Sequence, residues 1–190
     1  MVALDRDRAL VRAAQADPAR FEALYRKYLA QVYSFAYWEL RDHHEAEDVT
    51  ERTFLAALDG LPRFREEAGV DPSNPEASTF RVWLFRIARN AIANEQRRRR
   101  RRATAPLEAA AGVASPGDVA MRVATRAVAS EAWAAVDRLP DDRRRVVILR
   151  FVEEMSTAEI AGVMGRSEGA VRVLLHRALR AVARELEASR

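Results

Sequence analysis

Ser156-Thr157-Ala158-Glu159-Ile160-Ala161-Gly162-Val163-Met164-Gly165-Arg166-Ser167-Glu168-Gly169-Ala170-Val171 is the stretch on which the fold turns. Ser156 with Glu159 three residues later is a capping box, which starts a helix at Thr157. That helix is short and stops at Gly165. Ser167 caps the next helix, which runs toward Glu185 with Val171, Leu174, Leu175, Ala178 and Val182 facing inward. A short helix, a glycine turn and a longer helix is the helix-turn-helix layout. Ala161 is small where the two helices cross, and Val171 fills the angle between them. The second helix turns Arg166, Glu168, Arg172, Val173, His176 and Arg177 outward. Such side chains reach phosphates and base edges in a major groove. A plain helical hairpin has no use for that basic outer face.

Upstream, Ser130 can cap a helix with Trp133 and Val136 that stops at Leu139-Pro140, and Asp141 or Asp142 can start another with Val146, Val147 and Leu149. Residues 103–128 hold Pro106, Gly112, Pro116 and Gly117 among many alanines and no aromatic residue, and read as a linker. The 190 residues therefore divide into 1–102, a linker 103–128 and a C-terminal 129–190. In the N-terminal part, Asp17-Pro18 and Asp42 with Glu45 are helix starts. Phe21, Leu24, Tyr25, Tyr28 and Val32 form one apolar stripe, and Ala46, Val49, Thr53, Phe54 and Ala57 a second, closed by Gly60-Leu61-Pro62. A loop over 61–79 precedes a third helix starting near Ser78, with Phe80, Trp83, Leu84, Ile87 and Ala91 on one side. No stretch alternates as a strand, so the expected class is all-α: two small helical domains joined by a flexible linker.

Composition narrows the chemistry. Hydrophobic residues make up 49% and charged residues 32%, with no cysteine. This is a soluble globular balance without disulfides, thiolate zinc or a cysteine nucleophile. No signal-peptide core opens the chain and no apolar run nears the roughly 18 residues of a membrane span, so a cytoplasmic protein is expected. The net charge is +4, and Lys27 is the only lysine beside 31 arginines. Segment 1–60 is net −3 and segment 61–102 net +6, so a negatively charged partner belongs at the latter.

Three further constellations carry chemistry. Arg86, Asn90, Asn94 and Arg97 lie opposite the apolar side of the third helix, and six arginines, Arg97–Arg102, follow. With Phe64, Phe80 and Phe85 near, this pattern suits backbone tracking and base contact on opened DNA. The second helix exposes Glu47, Asp48 and Glu51, with Arg52 four residues after Asp48, either as a solvated face or as a docking face for a basic partner. His43 and Glu47 share a metal-like spacing, but no second histidine joins them, so no metal is expected. No serine triad, phosphate loop or dinucleotide loop is present, so neither an independent enzyme nor a cofactor is expected.

From Phe21 to Leu186 these segments resemble the bacterial sigma-70 family in its short extracytoplasmic-function (ECF) group. The resemblance rests on Phe21-x-x-Leu24-Tyr25, Ala46-Glu47-Asp48-Val49-Thr50, Phe80-x-x-Trp83-Leu84-Phe85-Arg86-Ile87-Ala88-Arg89-Asn90 and Leu139-Pro140. It continues in Glu159-Ile160-Ala161, Gly165 through Val171, and Arg177-Ala178. It implies a promoter-specificity subunit of RNA polymerase, with partners in core polymerase (the β′ clamp and β flap), promoter DNA and an anti-sigma factor, and no membrane insertion. It implies clamp docking through Glu47, Asp48, Glu51 and Arg52. It implies capture of the −10 non-template strand by Arg86, Asn90, Asn94 and Arg97, and −35 duplex readout by Arg166, Arg172, Val173, His176 and Arg177. The family often has glutamine and an acid where this chain has Glu51 and Arg52, and an acid in place of Asn94. Two rivals make different demands. A stand-alone helix-turn-helix regulator would dimerise on a palindrome and bind DNA unaided. An adaptor titrating an anti-sigma factor would not need the basic helix.

Overall fold

The computed structural model describes residues 7–66, 78–103 and 131–188, and there every regular element is a helix. In chain order these are α1 (Arg8–Ala16), α2 (Phe21–Leu40), α3 (His43–Gly60), α4 (Phe80–Ala103), α5 (131–137), α6 (Asp141–Phe151), α7 (Thr157–Met164) and α8 (Glu168–Ala188). The linker 103–128 falls outside the described residues from 104 onward, as do Ser130 and 67–77 of the expected loop.

Helix starts follow local chemistry. The Asp42 carboxylate accepts from Glu45 N at 2.9 Å and opens α3. Ser156 and Glu159 form the reciprocal capping box of α7. Gly165 sits at φ 65°, the left-handed conformation that ends α7 and turns the chain into α8. Ser167 Oγ accepts from Ala170 N at 3.2 Å. Other ends differ from expectation. Asp17-Pro18 opens a 3₁₀ turn, Pro18–Arg20, which leads into α2. Gly60 stays right-handed at φ −80°, so α3 passes directly into the 3₁₀ turn Leu61–Arg63. The amphipathic helix α1 has no counterpart in the sequence reading. Gln15 Nε2 ties it to the carbonyls of Leu61 and Phe64.

Helices α2, α3 and α4 close around Leu24, Tyr28, Phe35, Ala46, Val49, Phe80, Phe85 and Ile92, all fully buried. Helices α6, α7 and α8 close around Val146, Ile148, Leu149, Ile160, Val171 and Ala178. Full burial of one such aliphatic or aromatic side chain contributes roughly 1.5–3 kcal/mol. The two halves are joined. α7 packs on α4 and α6 on α2, in one continuous buried cluster. Two apolar faces of α4 are therefore covered. Val82, Leu84, Phe85, Ala88 and Ile92 are buried, while Trp83, Ile87 and Ala91, expected on the inner side, are half-buried.

Candidate nucleic-acid interface

On α8 the inward positions Val171, Ala178 and Val182 are buried, which leaves Arg172, Val173, His176 and Arg177 together on the exposed side. Val173 is 50% exposed, an apolar side chain among cations. Arg172 Nη1 lies 3.3 Å from Glu168 Oε2, and Arg166 pairs with Asp142 at the start of α6. The face extends further than the sequence reading took it. Arg177, Arg180 and Arg184 of α8 and Arg143 of α6 line one cavity of about 480 Å³, with Glu187 at its edge. The spacing 177, 180, 184 already marked a helical face; Arg143 joins it only through packing.

On α4 the expected strand-reading stripe is split. Asn90, Asn94 and Arg97 are exposed. Arg86 is half-buried under α7, its Nε donating to Gly162 O at 2.7 Å, and Arg89 Nη1 donates to Val163 O at 2.7 Å. The last carbonyls of a helix lack intrahelical partners and carry partial negative charge, which draws guanidinium groups. Phe64, Phe80 and Phe85 stand nearby in sequence but belong to the core. Phe80 stacks edge-on with Phe64 and Phe85 packs on Phe35, so none of the three presents a face to a base. Residue spacing could not separate an aromatic platform from an aromatic core.

The four α3 candidates also divide. Glu47 and Glu51 stand at an apolar groove of about 410 Å³ between α2 and α3, lined by Tyr25, Leu29, Phe54, Leu55 and Leu58. Tyr25, Leu55 and Leu58 are exposed there. Asp48 lies on the same turn and accepts from Arg52 Nη2 at 3.4 Å. Arg52 points to the opposite side, where it meets Glu95 of α4.

Sequence reasoning missed the arginines between the halves. Arg145 of α6 donates through Nε and Nη2, both at 2.9 Å, to the two oxygens of Glu39 on α2, and both residues are buried. Arg81 of α4 donates to Gln31 Oε1 at 3.0 Å, to the Glu153 carbonyl, and to Glu159 Oε1 at 3.4 Å. Burial pushes the neighbouring Glu153 carboxyl up to about 7, against a Ser34 hydrogen bond and the charge of Arg81, which both lower it. None of these contacts has a sequence signal, because each joins residues at least 50 positions apart.

A profile described as sigma-70 region 2 matches residues 24–102, and one described as sigma-70 region 4 matches residues 130–182. The chain is 36% identical over 182 residues to the ECF RNA polymerase sigma factor BldN of Streptomyces coelicolor, covering 93% of this chain and 64% of that protein's length. It is 32% identical over 173 residues to the ECF RNA polymerase sigma factor SigL of Mycobacterium tuberculosis, covering 90% of each. Among solved structures, CnrH in complex with the cytosolic domain of CnrY superposes with a TM-score of 0.68 at 26% identity, covering 98% of this chain and all of that one. The sigma factor RpoE in complex with the anti-sigma factor NepR from Bartonella quintana superposes with a TM-score of 0.64 over 90% of this chain and 98% of that one; at 22% identity this is a likeness of fold. No described helix is long and apolar enough to cross a membrane. With both sigma-70 regions matched in order and 32% identity across nine-tenths of SigL, the chain belongs to the ECF group of the sigma-70 family of RNA polymerase sigma factors.

Proposed function

We propose that this chain is a dissociable, non-catalytic cytoplasmic subunit that binds core RNA polymerase and directs it to promoters, under the control of an anti-sigma factor. One observation carries the reading. A capped helix-turn-helix leaves Arg172, Val173, His176 and Arg177 exposed on one face, in the same chain as an exposed Asn90-Asn94-Arg97 stripe that leads into the arginine run Arg97–Arg102. The first surface suits duplex readout at the −35 element, where arginine meets guanine edges and phosphates. The second suits a single strand opened at the −10 element, where unstacking a base costs a few kcal/mol that edge contacts offset.

In this reading residues 1–102 and 129–190 are the two functional domains and 103–128 the connection. The groove at Glu47 and Glu51 takes the polymerase clamp: apolar floor, acidic rim, a fit for an amphipathic helix with basic flanks. Arg86 can join Asn90 on DNA only when α7 leaves α4, since its Nε is held by Gly162 O. Promoter engagement therefore requires the halves to separate. Reconstitution with bacterial core RNA polymerase tests the function. Co-elution and discrete transcript starts from a promoter library are expected. Failure to bind core, with tight unaided binding to a palindromic duplex, would replace the reading with a stand-alone regulator.

A further inference from the structure

Of the α3 quartet, Glu47 and Glu51 line the apolar groove, whereas Arg52, paired with Asp48, reaches across to α4. One residue beyond Glu51 is a turn of about 100° around a helix. There Arg52 lines a second cavity, of about 550 Å³, with Asn94, Glu95, Arg97, Arg98, Arg100 and Arg101 of α4. Five guanidinium groups face one carboxylate in it.

That carboxylate organises the site. Glu95 is 0% exposed, and a buried ionised carboxylate is tolerated only when paired and hydrogen-bonded. Its Oε1 accepts from Arg98 Nε at 2.8 Å and lies 2.7 Å from Arg98 Nη2; its Oε2 accepts from Arg52 Nη2 at 3.2 Å. Arg102 Nη2 stands 3.9 Å away. One buried group thus sets a guanidinium from α3 beside a guanidinium from α4. Arg52 is further held by the Asp48 carbonyl at 3.1 Å, and Arg97 by Ala93 O at 3.2 Å and Asn94 Oδ1 at 2.6 Å. In Arg52, Arg97 and Arg98 alike the Nε and Nη2 atoms are engaged, while Nη1 has no partner among the described residues. Three oriented cations with spare donors at one cavity form an anion site.

We infer that this cavity is a backbone-phosphate subsite for promoter DNA, in which Arg52, Arg97 and Arg98 bind phosphodiester oxygens and Glu95 is the positioning residue that sets Arg52 and Arg98. The inference rests on the proposed sigma function and moves Arg52 from the polymerase side to the DNA side. Continuity favours nucleic acid over an acidic protein. Asn90, Asn94 and Arg97 lie at i, i+4 and i+7 on α4, and the last two line the cavity, so a strand read by Asn90 runs into it.

The test uses full-length chain reconstituted with core RNA polymerase, comparing wild type, Arg52→Ala and Glu95→Gln. Core affinity and promoter affinity of the holoenzyme are measured across a salt series. For Arg52→Ala, core affinity stays within about twofold. Promoter affinity falls roughly tenfold at low salt, and the slope of log affinity against log salt shrinks by about one. Glu95→Gln makes the site more positive. A purely electrostatic patch would then bind DNA more tightly, whereas the positioning role predicts weaker binding by several-fold. Loss of core affinity in Arg52→Ala with an unchanged promoter slope would overturn the inference and return Arg52 to the polymerase face, leaving the sigma assignment intact. Tighter promoter binding by Glu95→Gln would overturn the role of Glu95. A wild-type chain that forms no holoenzyme would overturn the sigma function and the inference with it.

Discussion

Gly162 sits inside α7, where glycine costs about 1 kcal/mol against alanine. Its place is explained by the crossing with α4: a Cβ there would lie 2.6 Å from Val82 Cγ1. Val82 is buried and β-branched, hence stiff at χ1. Gly162→Ala should therefore destabilise the chain by about 1–3 kcal/mol through overpacking, and Val82→Ala in the same chain should recover part of the loss. Thermal unfolding of the two single variants and the double variant measures this. Glu153 gives a pH-dependent counterpart. Its carboxyl is raised to about 7 from an ordinary 4.5, so the folded chain holds the proton more tightly than the unfolded one. Stability accordingly falls as pH rises from about 4.5 to about 7, and the loss is complete above that. Glu153→Gln should be more stable than wild type by about 1–3 kcal/mol at pH 8 and nearly equal to it at pH 4.5, read by urea unfolding at both values.

At the scale of elements, α8 and α4 have different kinds of surface. α8 is buried along a narrow stripe, Val171, Ala178 and Val182, and on its exposed side Arg172 pairs within the helix with Glu168. Replacing Arg172 or Arg177 with alanine should then act on DNA rather than on folding. A loss of about 1–3 kcal/mol per lost base contact is expected, with relaxed sequence choice at one −35 position. Binding to a panel of −35 duplexes reads this out, and a uniform loss across sequences would reassign the residue to phosphate. α4 is packed by α2 and α3 on one flank and by α7 on another, so only Asn90, Asn94 and the arginine end remain open. Asn90→Ala should slow open-complex formation, followed by permanganate reactivity of the melted strand, while leaving core binding unchanged.

Among the described residues, polar contacts join the two halves alongside the apolar cluster. Glu39 and Arg145 are both buried, and replacing Arg145 leaves the buried Glu39 with only the longer 3.7 Å pairing to Arg144, a loss of up to about 3–5 kcal/mol. Arg145→Met should separate the halves, seen as a larger radius of gyration in solution scattering. Glu39→Leu together with Arg145→Met should restore the compact form. Arg81 and Arg86 add contacts to α7 and the segment before it, and Trp38 packs on Trp133 with ring centroids 4.3 Å apart. CnrH, whose whole chain superposes on this one, was solved with the cytosolic domain of CnrY bound. Here the closed arrangement is built from contacts within the chain itself.

The sequence by itself determined the helical class, most helix starts, the turn at Gly165 and the outward face of α8. Each depends on residues within a few positions of one another: Asp42 with Glu45, Ser156 with Glu159, Ser167 with Ala170. Tertiary structure alone decided that Phe64, Phe80 and Phe85 are core and that Arg86 lies under α7. It also decided that Arg52 faces Glu95 rather than the groove of Glu47 and Glu51. A helix period gives the face a side chain occupies, but α4 carries neighbours on more than one face, and the period cannot say which neighbour arrives. The contacts of Glu39 with Arg145 and of Arg86 with Gly162 join positions 106 and 76 residues apart. Their geometry exists only after the two halves have docked.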